Sequence, residues 1–412
     1  MSSRRNKSLA VVFIILFLGY YQRWLYAVIY ESLNGSVDLD PALPMIIDGI
    51  QKFNSLQDDD SDIDDRAELQ MERESVSAAL PAMAYLMADS KLQAQADALS
   101  QRIQMDIDSS QFLSQRKFDC KGPKLHCGST VNCGLGCQIH KLMSCVMVAY
   151  MTNRTLVPDF RNWPYSVPWT DVFRPIGAPD CPTDNETALV RWGKTGFTVG
   201  LPDKTIYSYK SGIPVPLSVG PDLKMLPTDH YVWWISQFAK YTMRLQSWEE
   251  ELMAKFKDVL KLQIPTVGIV VRKRDKRGEK RKLEIHSIDK YMSLAKKYFS
   301  KLEETQTNVT RRILLSTDDR NVFKLVRKRY RPPRWQILGF QRKTDVEDIV
   351  KDIYMLSQCH FVVCSFSADI CRLVLELKES QELNSVYRIK SLGYNYFYAT
   401  EGFNKLRYLL KY

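Results

Sequence analysis

The chain has 412 residues, 58 of them Lys or Arg against 47 Asp or Glu, and carries a formal charge of +11. With 45% hydrophobic and 25% charged residues it is neither a disordered tract nor a collagen-like repeat, and it is long enough for one large core or two medium ones. Nine cysteines are too sparse for a small disulfide scaffold but enough for a few bridges, and the basic balance suits a polyanion, a membrane surface or a phosphorylated small molecule.

An apolar run from Leu9 to Tyr21 follows Arg4, Arg5 and Lys7, and apolar character resumes from Trp24 to Tyr30. The basic flank keeps residues 1–8 cytoplasmic. Bulky Tyr20, Tyr21, Trp24 and Tyr26 stand where a signal peptide would carry its small-residue cleavage site, and they resemble an interfacial belt. The reading is a single-pass signal anchor over residues 9–30, short enough for the thinner membranes of the early secretory pathway, with the rest luminal. In a lumen, Asn34, Asn185 and Asn308 head glycosylation tripeptides.

Residues 31–118 read as an acidic and helical stem. The run Asp58–Asp65 cannot bury itself and lacks the Gly and terminal Glu of an EF-hand loop, so it is solvated rather than a calcium site. Leu92, Ala96, Leu99, Ile103 and Ile107 recur at helical spacing. Such a stripe faces another stem helix or a second copy of the chain, a homodimer; a spacer without pairing is the alternative.

From Cys120 the texture changes to apolar runs separated by Gly, Pro and Asn. Cys127, Cys133, Cys137 and Cys145 crowd one segment; zinc would suit that spacing, but a secretory lumen favours disulfides. Gly134-Leu135-Gly136 forms a tight turn before a helix opening at Gln138, which would present backbone N–H groups to an anion such as phosphate. Further on, Thr266–Val271, Arg312–Ser316 and His360–Cys364 read as buried strands. Amphipathic helices over Ser287–Phe299, Asn321–Tyr330 and Asp345–Gln358 lie between them. This alternation predicts a doubly wound parallel α/β unit whose ligand lies beyond the carboxyl ends of the strands. Polar clusters stand there: Arg272–Lys276, Thr317-Asp318-Asp319 and Ser365-Phe366-Ser367.

The ordered motifs from Cys127 to Leu156 (with Cys133-Gly134-Leu135-Gly136-Cys137-Gln138-Ile139-His140), Asn162-Trp163-Pro164-Tyr165, Val172–Pro175 and Trp233–Tyr241 closely resemble the α1,6-fucosyltransferases that modify the core of N-glycans. The likeness continues through Arg272–Lys276, Ser316–Asp319, Asp352–Gln358 and Cys364–Cys371. It implies a GT-B-like two-lobed α/β fold, with an N-terminal catalytic lobe over 119–262 and a Rossmann-type donor lobe over 263–412. It implies inverting, metal-independent transfer of L-fucose from GDP-fucose to a GlcNAc of an N-glycan, a Golgi type II address, and no cofactor beyond the donor substrate. Disulfides Cys120–Cys181, Cys127–Cys145, Cys133–Cys137 and Cys364–Cys371 follow from the same likeness, leaving Cys359 unpaired and buried.

The resemblance also assigns roles. Arg272 contacts the β-phosphate, where its planar fork suits two oxygens, with Lys273 as a second cation. Backbone N–H groups of Gly134 and Cys137 serve the phosphates together with Ser367, Tyr165 lies on the ribose, and Asp352 accepts from the guanine edge. The bland readings are a surface basic run for Arg272–Lys282, a packed ring for Tyr165 and a helix-face charge for Asp352. Asp318 and Asp319 fix the arginine or aid the acceptor, or else cap the helix near Asn321. Asp275 and Lys276 face the acceptor, and the base is Glu279 or Glu284.

Departures from the family pattern are specific. Val270 stands for a His, Lys273 for an Arg, and Ser367-Ala368-Asp369 for Ser-Ser-Gln, which brings an anion near the phosphates. The C-terminal SH3 domain of animal members has no room after Tyr398. A second reading therefore keeps the fold as a catalytically weak glycan- or partner-binding paralogue. A third is a polyanion-binding protein using Arg272–Lys282 and Arg327–Arg331, whose binding would weaken with salt; nucleic acid is not expected in a lumen.

Overall fold

The computed structural model describes residues 90–112, 120, 122–128, 133–161, 163–184, 187–193, 196–200, 206–208, 215–216, 218–271, 286–339 and 345–393. All belong to the second of two compact units, residues 75–412. The expected anchor over 9–30, the acidic run, Asn34 and Asn185 lie outside the described residues.

Helix α1 (Ser90–Phe112) comes first. There follow β1 (Lys124–Gly128), α2 (Leu135–Met151), β2 (Thr155–Asp159), the short α3 (Trp169–Val172), β3 (Ala188–Gly193), β4 (Gly196–Gly200) and β5 (Ile206–Ser208). The first sheet has the order β2-β1-β3-β4-β5, with β1 parallel to β2 and β3 and the last two strands antiparallel. Helices α4 (Gly220–Lys224), α5 (His230–Thr242) and α6 (Ser247–Leu260) lead to the second half. Its elements are β6 (Thr266–Val271), α7 (Ile288–Thr305), β7 (Arg311–Thr317), α8 (Arg320–Arg329), β8 (Trp335–Leu338), α9 (Val346–Ser357), β9 (Phe361–Cys364), α10 (Asp369–Glu379) and β10 (Ile389–Ser391). The second sheet is wholly parallel in the order β10-β9-β6-β7-β8.

Strand β6 shows why such strands read as unbroken apolar runs: all six residues are buried, because helices cover both faces. Val267, Ile269 and Val271 meet the apolar sides of α7 and α8. Gly268 and Val270 face the other way, towards α9. That approach is close, since a Cβ on Gly268 would stand 2.8 Å from Leu356 Cδ2 and 3.2 Å from Cys359 Sγ.

The core on that second face is shared. It runs without interruption from α9 and α10 through α5 and α2 to β1, β2 and β3. Helix α5 is buried along most of its surface, Trp233, Trp234, Phe238 and Tyr241 together with Ser236 and Gln237, as befits a helix enclosed by its neighbours. Asp229 starts it by accepting from the backbone N–H groups of Tyr231 (3.1 Å) and Val232 (3.0 Å). The Tyr354 hydroxyl of α9 donates to the Met243 carbonyl at the other end. The expected division at residue 262 therefore does not separate two cores: α9 and α10 pack with the helices of the first half.

Helix α1 corrects the stem reading. Ala96, Leu99, Ile103 and Ile107 are buried in this same core, so the apolar stripe is spent on the chain's own α2 and α5, not on a second stem helix or a partner copy. A polar seam fixes the register: Ser100 Oγ donates to Gln237 Oε1 (2.7 Å), Gln104 Nε2 to the Gln237 carbonyl (2.9 Å) and Arg244 Nη1 to Asp108 Oδ1 (2.8 Å). Gln93 reaches the segment after α10, donating to the Gln381 carbonyl (3.3 Å) and accepting from the Leu383 N–H (3.1 Å).

The predicted strands and helices of the second half are present, with shifted ends: α7 continues to Thr305, α8 runs from Arg320 to Arg329, and Ser287 and Asp345 are caps rather than helical residues. The short strands β8 and β10 and the β3–β4–β5 meander carry too few residues for a periodic signal. Cysteines close as Cys120–Cys181, Cys127–Cys145, Cys133–Cys137 and Cys364–Cys371, the pairs the resemblance implies. Cys359 is free and buried, and burial pushes its thiol up to about 12.

Candidate active site

In a doubly wound sheet the ligand crevice opens where the strand order reverses, because the crossovers on either side leave in opposite directions. In the second sheet that point lies between β6 and β9, at Val271 and Cys364; β7 and β8 extend one way and β10 the other. In the first sheet it lies beside β1, between β2 and β3. The helix that follows each switch-point strand is α2 after β1 and α10 after β9. Their N-termini abut. A Cβ on Gly136 would stand 2.6 Å from Asp369 Cβ and 3.1 Å from the Ile370 nitrogen, so the two first turns touch, and only a glycine permits it.

This convergence has chemical content. The first-turn N–H groups of a helix have no intrahelical acceptor, and the aligned peptide dipoles leave positive potential there. On α2 they belong to Leu135, Gly136 and Cys137, since the Gln138 N–H is the first to bond back, to the Gly134 carbonyl at 3.1 Å. Each turn leading into these termini is pinned by a disulfide: Cys133–Cys137 rings the Gly-Leu-Gly turn, and Cys364–Cys371 ties the end of β9 to the first turn of α10. Ser365 and Ser367 share a hydroxyl–hydroxyl hydrogen bond of 2.8 Å in the second turn.

One turn further in, His140 joins the two helices. Its Nδ1 lies 2.7 Å from the Gly136 carbonyl, and its Nε2 lies 3.1 Å from both carboxylate oxygens of the buried Glu376 on α10. The carboxylate of Asp369, in the first turn of α10, is ion-paired with Arg372 of the same helix. Sequence reasoning named neither His140 as a strut nor Arg372 as a counter-ion, although both are three residues beyond a motif residue, the spacing of one helical turn.

The other expected residues divide. Gly134, Cys137 and Ser367 lie on the two converging turns. Asp352 is buried on α9 and accepts from Ser316 Oγ of β7 at 2.5 Å, which removes it from the class of solvated helix-face charges. Asp319 is the cap of α8, accepting from the Asn321 N–H at 2.8 Å, and Asp318 sits half-buried beside it. The helix-capping alternative therefore holds for Asp319. Tyr165 is half-buried in an aromatic group, 5.0 Å from the Trp163 ring, which meets Trp169 edge-on at 5.5 Å. Arg272, Lys273, Asp275, Lys276, Glu279 and Glu284 lie outside the described residues; Arg272 is the next residue after the end of β6 at the switch point. Asn308 is exposed in the turn before β7.

At the end of β2 stands a further polar group that no motif announces. Asp159 accepts from the Arg161 backbone (3.0 Å), its Nε (2.9 Å) and its Nη2 (2.7 Å), and His126 Nε2 of β1 stands 3.8 Å away. The guanidinium holds the Asp159 carboxyl below its ordinary range. Among the described residues no group of three or more His, Cys, Asp or Glu is placed to hold a metal ion.

Residues 45–397 match the family model for the N- and catalytic domains of alpha-(1,6)-fucosyltransferase. An alpha-(1,6)-fucosyltransferase of Drosophila melanogaster is 32% identical over 315 residues, covering 72% of this chain and 50% of the fly protein. One from Caenorhabditis elegans is 27% identical, covering 74% of this chain and 57% of the worm protein. The chain thus spans about half the length of the curated relatives it matches. Among solved structures, POFUT1 in complex with GDP-fucose matches at 13% identity and a TM-score of 0.40, covering 68% of this chain and 99% of that one.

Proposed function

The chain belongs to the α-(1,6)-fucosyltransferase family, and from that premise we propose that it transfers L-fucose from GDP-fucose to a GlcNAc residue of an N-glycan, with inversion and without a metal. The observation that carries the reading is the meeting of the α2 and α10 N-termini at two facing switch points, in contact at Gly136 and Asp369. A diphosphate leaving group gains negative charge as the sugar bond breaks, and oriented N–H groups that need not reorganise stabilise such charge. Leu135, Gly136 and Cys137 would donate from one side, Asp369 and Ile370 from the other, and Ser367 would add a hydroxyl.

Arg272, adjacent in sequence to the end of β6, would supply the planar cation for the β-phosphate, with Lys273 beside it. These groups together fill the neutralising role that a divalent cation plays elsewhere. Asp352, oriented by Ser316, would accept from the guanine edge, and Tyr165 would cover the ribose. The acceptor hydroxyl then attacks the anomeric carbon as the bond to the diphosphate breaks, and Glu279 or Glu284 takes its proton. Pairing of Asp369 with Arg372 supports activity, because the departure from the family Gln is charge-compensated within its own helix.

Anchoring by residues 9–30 and a luminal Golgi address complete the proposal. Their support is the basic N-terminal flank, the aromatic belt and four disulfides, which persist in oxidising compartments. The test is transfer of labelled fucose from GDP-fucose to a panel of GlcNAc-terminated N-glycans by the full chain. Transfer abolished by Arg272→Ala is the expected result. Folded protein that binds neither GDP nor GDP-fucose would overturn the enzyme reading in favour of the non-catalytic paralogue.

A further inference from the structure

Helix α8 buries Val322, Phe323 and Val326 against the second sheet, and its opposite side is cationic. Lys324, Arg327 and Lys328 are exposed at spacings of three and four, one stripe of the helix, and Arg331 and Arg334 extend the array into the turn before β8. The array is held in shape. Arg327 rests over the Phe323 ring at 4.4 Å, Arg331 Nε donates to the Lys328 carbonyl at 2.8 Å, and Arg329 turns aside to Asp289 of α7 at 2.8 Å.

Cations in the last turn of a helix complement its dipole, which accounts for Arg327 and Lys328, and Arg334 faces the Glu303 carboxylate of α7, but neither accounts for Lys324 or Arg331. Like charges three and four residues apart weaken a helix, so the stripe as a whole opposes folding and needs another explanation. The donor site does not supply it. Helix α8 starts at the carboxyl end of β7 and returns along the sheet, so its cationic end lies towards the opposite edge from the converging N-termini.

We propose that this stripe is a docking surface for a linear polyanion of the sulfated-polysaccharide class, independent of the transferase site. Three observations select that class. The cations form a line of about 6 Å along the helix from Lys324 to Lys328, continued by Arg331 in the following turn, which suits a chain of regularly spaced anions. Arginine predominates, and its fork binds two oxygens of a sulfate or carboxylate at once. Among the described residues the stripe interleaves no exposed large apolar side chain that would enter a bilayer, and the four disulfides fit an oxidising compartment without nucleic acid.

The experiment measures binding of heparin to the full chain across a salt series. Binding should weaken steeply with salt, and Lys324→Gln/Arg327→Gln/Lys328→Gln/Arg331→Gln should bind at least tenfold more weakly with a flatter salt dependence and an unchanged circular dichroism spectrum. A variant in the other basic run, Lys280→Gln/Arg281→Gln/Lys282→Gln, should keep most of the affinity. Arg331→Gln alone, outside the helix, gives a smaller loss of the same sign should the fourfold change disturb folding. Undiminished binding by the α8 variants would overturn the proposal. So would loss confined to the 280–282 variant, equal affinity for desulfated heparin, or preference for phosphatidylserine vesicles or an oligonucleotide of matched charge.

Discussion

At the scale of single residues, three positions make predictions that differ in kind. Gly136 is where two helices touch, and Gly136→Ala would press a methyl onto the Asp369 backbone, 3.0 Å from its carbonyl carbon. Overpacking of that sort costs about 1–3 kcal/mol. The expected outcome is a lower melting temperature together with weaker GDP binding, since both first turns are displaced; a stability loss with unchanged GDP affinity would separate this contact from the donor site. Glu379 is fully buried on α10, where burial raises its carboxyl to about 8 despite hydrogen bonds from Thr228 Oγ1 (2.5 Å) and the Val386 N–H (3.2 Å). Its folded state thus holds a proton that the unfolded chain releases above the ordinary glutamate range. Stability from this group is complete at low pH and is lost as pH rises towards 8. His360 works in the other direction: burial lowers it to about 4, so its contribution is complete above the ordinary histidine range and is lost as pH falls towards 4. Melting curves from pH 5 to 8 should show Glu379→Gln flattening a decline that otherwise runs across that whole window.

At the scale of elements, α1 is the instructive case. Its periodicity is plain in the sequence, yet a stripe of Leu, Ala and Ile carries no record of which surface covers it. Both partners considered from the sequence were other stem helices, and the covering surface is the chain's own α2 and α5. Ile103→Ala or Ile107→Ala should therefore destabilise the catalytic region itself by about 2–5 kcal/mol, the range for emptying a buried aliphatic site. Removing residues 1–112 should yield aggregated protein. Thermal unfolding of the single variants, followed by tryptophan fluorescence from the α5 region, checks both expectations; a chain beginning at residue 113 that melts like the whole protein would return α1 to the role of a spacer. Capping shows the opposite balance. Asp229, Asp319 and Asp345 each stand just before a helix and accept from a first-turn N–H, a local arrangement that sequence alone can specify.

At the scale of the whole molecule, four disulfides and one buried thiol define a covalent state that can be counted. Alkylation of the native protein should modify no cysteine. After denaturation without reductant it should modify Cys359 alone, and after reduction all nine cysteines in the chain. Mass spectrometry reads each state, and two or more labelled cysteines before reduction would break the assignment. Loss of a native disulfide costs about 2–4 kcal/mol. Reduction should also free the turns at Cys133–Cys137 and Cys364–Cys371, so GDP binding should fall before the fold is lost.

The amino-acid sequence alone specified the parallel α/β character of the second half, because strands covered on both faces must be apolar throughout and their helices amphipathic. It also placed the polar clusters at the strand ends, since those follow directly from where each apolar run stops. Motif order carried the family and the cysteine pairs. Which elements meet was settled by tertiary packing: α10 lies on α2 at Gly136, His140 reaches Glu376, and α1 closes the core. Such contacts join residues up to 290 positions apart, as between Gln93 and Leu383. Local propensity and spacing act over a few residues, whereas such pairings are selected by burying one apolar face against another, and any of several faces in this chain would have satisfied the pattern alone.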